Sequence, residues 1–164
     1  MKDRIHGVLS VLFVLSAFIV ANVKLYWIST ALGIGYSILL LISALIMIGV
    51  YCPKCPHLAD NSCQHIFVGP IAGMIFKKKT PEKYTVGERL ATNIPALITI
   101  LLPQYWLFQD WRFLIAFWVL TVVYFLEVRF FVCTGCRNVY CEACPNKERP
   151  LNPSTTKTIT GKTN

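Results

Sequence analysis

The sequence predicts an all-α integral membrane protein with four transmembrane helices, formed as two parallel-repeat hairpins, each followed by a cytoplasmic cysteine-rich loop. Three observations predict it. Four apolar runs, roughly 7–23, 28–51, 90–108 and 113–132, approach or reach the length of about 20 residues that carries a helix across a bilayer core. A C-x2-C-x7-C signature occurs twice, as Cys52, Cys55 and Cys63 and again as Cys133, Cys136 and Cys144, each time where an apolar run ends. Of the sixteen Lys and Arg, thirteen fall in the N-terminus, the middle loop and the C-terminal tail.

Composition agrees with a membrane chain. With 55% hydrophobic and 15% charged residues, too little polar surface remains to cover a soluble bundle of this size. A net charge of +8 would suit nucleic acid, but its placement reports orientation instead. The positive-inside bias sets both termini and the middle loop on the cytoplasmic side of the cell membrane, and no nucleic-acid partner is expected. Thiols stay reduced in that compartment, so the seven cysteines favour metal or redox chemistry over structural disulfides.

The repeat sets the domain organisation. Moved by 81 residues, the three cysteines of the first signature land on those of the second, Leu25–Tyr51 lies on Trp106–Val132, and Gly7–Val23 lies on Glu88–Gln104. The match is one of pattern, with few identical residues elsewhere. Residues 1–83 form the first repeat: two helices, a cysteine loop at 52–65, an apolar segment at 66–76 and a basic run at 77–79. Residues 84–150 form the second, with its cysteine loop at 133–144, and 151–164 is a polar tail with too few apolar residues to fold.

Taken in order, the first run is either a signal peptide or a retained span. Its length, the poor cleavage pair Ile19 and Ala21, and its counterpart in the repeat favour retention. Asn22 and Lys24 are expected to end it, with Tyr26 and Trp27 following at the interface. The second run carries small residues four apart, Ala31 with Gly35 and Gly33 with Ser37, which would let a neighbouring helix approach closely. Segment 66–76, with Gly69, Pro70 and Gly73, is too short to span and is expected in the headgroup region or against the cysteine loop. Lys77, Lys78 and Lys79 are a candidate site for anionic lipid and equally a topology anchor.

Thr85 and Glu88 have capping-box spacing and predict a helix start. Pro95 should kink the third helix, while Pro103 marks its outer end. Tyr105, Trp106 and Trp111 form an outer aromatic belt. In the fourth helix Arg129 can snorkel to the interface, whereas Glu127 lies deeper and needs a partner. Residues two apart on a helix face different ways, so Arg89 at the start of the third helix is the expected partner rather than Arg129. His6 reads as an interfacial residue.

Two thiolates two residues apart can chelate one ion through a tight turn, and a structural zinc site wants four Cys or His ligands. The first loop offers Cys52, Cys55 and Cys63 with His65, or His57 as the alternative fourth. The second offers Cys133, Cys136, Cys141 and Cys144. Zinc is the first expectation. An iron–sulfur cluster would use the same thiolates, although the C-x2-C-x4-C-x2-C spacing of the second loop is not the ferredoxin one. Metal-free thiol redox chemistry is a third reading. Two separate sites are expected rather than one shared by the helix ends, because closing each short loop costs less entropy.

Three functions follow from this. The first is a non-enzymatic membrane protein whose metal loops organise its cytoplasmic face for a protein partner or for metal-ion handling. The second is a membrane oxidoreductase passing electrons or thiol equivalents. The third is a small transporter with Glu127 and the kinked helix in its path. No nucleophile–base constellation supports a hydrolase.

Overall fold

The computed structural model describes residues 2–55, 68–76 and 83–134. The described residues are helical almost throughout: α1 is Lys2–Ile28, α2 Thr30–Tyr51, α3 Val68–Ile75, α4 Val86–Leu101, α5 Gln104–Leu107 and α6 Trp111–Glu127, and a π-helical turn, Val128–Val132, continues α6. Four stretches are long and apolar enough to cross a membrane: Ile5–Ile28, Thr30–Tyr51, Val86–Leu107 and Trp111–Val132. The cysteine-bearing ends of α2 and the π turn lie with the start of α1 and α4. The two helix–helix turns lie at the opposite end.

α1 is longer than expected. It runs through Asn22, Lys24, Tyr26 and Trp27 to Ile28, and only Ser29, with extended backbone, separates it from α2. The polar residues do not end the helix because neighbours on other elements take their donor groups. Asn22 donates to the Ser37 hydroxyl at 2.7 Å, and Lys24 faces the Asp110 carboxylate at 3.8 Å. Gly33 is required at this hairpin: a Cβ there would lie 2.4 Å from the Tyr26 ring. The Gly33/Ser37 face is thus used inside the hairpin. The Ala31/Gly35 face is exposed, with nothing within 4 Å of a Cβ at Gly35. It borders an apolar cavity of about 250 Å³ together with Leu25, Tyr36, Leu102 and Trp106.

The third span is broken rather than simply kinked. α4 passes through Pro95 and stops at Leu101, and Pro103 then caps the one-turn α5. Gln104 secures this break: its amide donates to Ile100 O at 2.7 Å and accepts from the Trp118 indole at 3.0 Å.

Packing follows the order α6, α1, α2, α4. α1 packs on both α2 and α6, and α4 packs on α2; among the described residues, α4 and α6 do not pack on each other. The second pair of spans is therefore not packed as a hairpin in the way the first is. Its members flank the first pair from either side. The two flanking interfaces differ in chemistry. On α1, Gly7, Ser10, Ala17 and Ala21 are buried at spacings of three, seven and four, and Ala17, Ala21 and Leu25 share the core with Phe117 and Leu107. Small residues there let the helix backbones approach, which is the packing that lipid favours. The α2–α4 interface is polar instead. Tyr36 donates to Thr99 O at 2.7 Å and Thr92 to the Tyr51 hydroxyl at 3.1 Å. The short apolar segment expected at the interface is the helix α3, set against the cysteine end of α2, where Phe76 covers Gly49 and Met74 stays exposed.

Candidate functional site

The sequence expectations converge on the cysteine end, and two constellations are built there. The first is the turn that follows α2. Cys52 caps the helix, with its N–H bonded to Ile48 O at 3.0 Å. Pro53 and Lys54 turn the chain, and Cys55 N–H returns to Cys52 O at 3.1 Å. Proline at the second position pre-sets the backbone angle such a turn needs. Both cysteines are half-buried. That bond between its outer residues keeps the Cys-x-x-Cys within one tight turn.

That turn is docked on α4. Lys54, 4% exposed, places its ammonium 2.7 Å from Glu88 Oε1 and 2.9 Å from Oε2, and above the Tyr84 ring at 5.8 Å. The same Glu88 closes the expected capping box: Thr85 N donates to its carboxylate at 2.8 Å, and Glu88 N donates to the Thr85 hydroxyl at 3.3 Å. Tyr84 adds a bond to Tyr51 O at 3.3 Å and stacks edge-on against the Tyr51 ring. One carboxylate therefore both starts a helix and receives the lysine from inside the first cysteine pair. The capping box was legible from spacing. The cross-helix lysine was not, because Lys54 and Glu88 lie 34 residues apart.

The second constellation joins α1 to the end of α6. His6 Nδ1 lies 2.5 Å from Glu127 Oε1, and the imidazole stacks on Phe131 with ring centres 4.3 Å apart. Glu127 was expected to pair with Arg89; the contact placed on its carboxylate is His6. α4, which carries Arg89, does not pack on α6, whereas α1 lies along α6 and brings His6 to the carboxylate. The helix then widens: Cys133 N–H bonds Val128 O at 2.8 Å, a step of five residues instead of four. Cys133, buried, caps that wide turn. The two signatures thus begin at corresponding helix ends but in different backbone registers, so Cys133 is turned relative to Cys52.

Of the expected ligands, Cys52, Cys55 and Cys133 are placed. Cys63, His65, His57, Cys136, Cys141 and Cys144 lie outside the described residues, as do Lys77, Lys78 and Lys79. Among the described residues no three His, Cys, Asp or Glu gather where they could hold a metal ion. Cys52, Cys55 and Cys133 are accordingly not brought to one point. Set beside known proteins, the chain matches no family model, no curated protein and no solved structure.

Proposed function

We propose that this is a multi-pass protein of the cell membrane, with both termini and the middle loop cytoplasmic, whose cytoplasmic face carries two thiolate-rich zinc sites. Cys52, Cys55 and Cys63 with His65, or His57, form one; Cys133, Cys136, Cys141 and Cys144 form the other. Zinc suits sulfur and imidazole ligands in a tetrahedron and has no redox chemistry of its own, so the sites order the loops. The ordered face then serves a protein partner or the handling of metal ions.

The observation that carries this reading is the Cys52–Cys55 turn, closed on itself at a helix end and repeated in sequence at Cys133–Cys136. Metal analysis of protein purified without air, with an absorbance spectrum, tests it. Two zinc ions per chain and a colourless solution are expected. A brown protein containing iron and sulfide would replace this reading with that of a membrane oxidoreductase. Replacing Cys63 and Cys144 together by Ser should strip or weaken both metals. One metal retained at undiminished affinity in that variant would establish a shared site instead.

A further inference from the structure

At the end of the bundle opposite the cysteine signatures, the apolar cavity of about 250 Å³ lies where the third span breaks between α4 and α5. Buried Leu25 and Tyr36 line it, with half-buried Trp106. Ala31, Gly35 and Leu102 also line it and are exposed, so the cavity meets the outer surface of the bundle. Tyr36 brings the one hydroxyl of the lining, and that hydroxyl is already given to Thr99 O at 2.7 Å. All six residues belong to stretches long and apolar enough to cross a membrane.

We propose that this cavity is a lateral binding site for one acyl chain of a membrane phospholipid. This rests on the membrane reading above. Size, chemistry and reach decide between the occupants. A buried water needs two to four polar partners, and this lining offers no such set. An apolar cavity of about 150 Å³ stays dry and holds a benzene molecule, so the larger space here takes a stretch of hydrocarbon chain. A helix from a second copy is about 10–12 Å across with its side chains and is too wide to enter. The chain's own remaining segments are on the wrong side: the described stretches begin and end at Lys2, Cys55, Val68, Phe76, Lys83 and Thr134, all at the cysteine end. A neighbouring lipid has the right reach. Gly35 lies five residues into α2, about 8 Å along the helix from its start, which is the depth of the acyl chains just inside the headgroups. The exposed aromatics Trp27, Tyr105 and Trp111 mark that headgroup level. A convex helix face touches lipid on one side only, whereas a concave site surrounds its ligand and retains it.

The test uses the full chain in detergent micelles, stripped of lipid and titrated with dioleoylphosphatidylcholine, with native mass spectrometry as the readout. One lipid per chain should stay bound at collision energies that remove all others. Gly35→Leu sends a side chain into the space, and its Cβ meets nothing within 4 Å. It should weaken that lipid at least tenfold while the unfolding midpoint in SDS stays put. Ala31→Leu is the second filling variant and should do the same. Leu126→Phe, on the exposed face of α6 at the far side of the bundle, should leave binding unchanged. Equal retention in the wild type and both filling variants, or equal loss in all three variants, would overturn the proposal. So would a lipid-free dimer that Gly35→Leu dissociates, since a second copy would then cover the cavity. The membrane reading fails differently. A chain released from membranes by alkaline carbonate would overturn both readings, whereas one that stays in the membrane and retains no lipid overturns this one alone.

Discussion

Truncating His6 to Ala should loosen the α1–α6 interface measurably, and the size of the effect can be worked from the pair. Glu127 is only 14% exposed at its side chain and His6 is 31% exposed. Removing one partner of a fully buried charged pair costs about 3–5 kcal/mol. With water reaching the imidazole side, about 2 kcal/mol is the reasonable figure for leaving the carboxylate without its donor. Loss of the Phe131 stack adds about 0.5–1.5 kcal/mol, so His6→Ala should cost about 3 kcal/mol in all. His6→Phe keeps the stack and should recover that smaller part alone. The assay is unfolding in mixed micelles of increasing SDS, followed by the fluorescence of Trp111 and Trp118 on α6. A double-mutant cycle with Glu127→Ala should give a coupling of about 2 kcal/mol. A coupling under about 0.5 kcal/mol would mean that the two groups do not stabilise the interface together, and the assignment of His6 as the partner would fall.

Gly33→Ala should destabilise the α1–α2 hairpin by about 1–3 kcal/mol, since its Cβ would overlap the Tyr26 ring. Gly35→Ala, which meets nothing within 4 Å, should change the same unfolding midpoint by less than about 0.5 kcal/mol. Tyr36→Phe removes a buried bond to Thr99 O and should cost about 0.6 kcal/mol, the usual worth of such a bond between membrane helices, read in the same titration. Cys63 and Cys141 should resist an impermeant thiol reagent applied to intact cells and react once the cells are opened; labelling from outside would invert the topology and return the cysteines to a disulfide role.

Much of the architecture was legible because it depends on local chemistry. Four apolar runs mark four spans, Thr85 and Glu88 close the capping box their spacing announces, and each signature starts at a helix end. What was hidden depends on which helix lies beside which. In lipid an apolar helix shows no periodic polar face to betray its neighbours, so the contact of His6 on α1 with Glu127 was not visible in advance. The useful signal was present on α1: Gly7, Ser10, Ala17 and Ala21 fall on one stripe, a better marker of a tight interface than the glycines of α2. The Lys24 and Asn22 side chains looked like a helix end because their partners, Asp110 and Ser37, are not visible in a local window. The wide turn before Cys133 has no sequence mark, since the repeat keeps the same residue count with and without it.

The packing order, with α6 lying on α1, has a consequence for how the chain is made. Of the four candidate spans, the one made first has as its partner the one made last. Until Trp111–Val132 has been inserted, the small-residue stripe of α1 is covered by lipid alone, and His6 waits for a carboxylate not yet made. Completion of this four-span packing therefore waits for insertion of the fourth span. A nascent chain that stalls after α4 would present to the quality-control machinery of the membrane a first helix whose α6-facing side is bare.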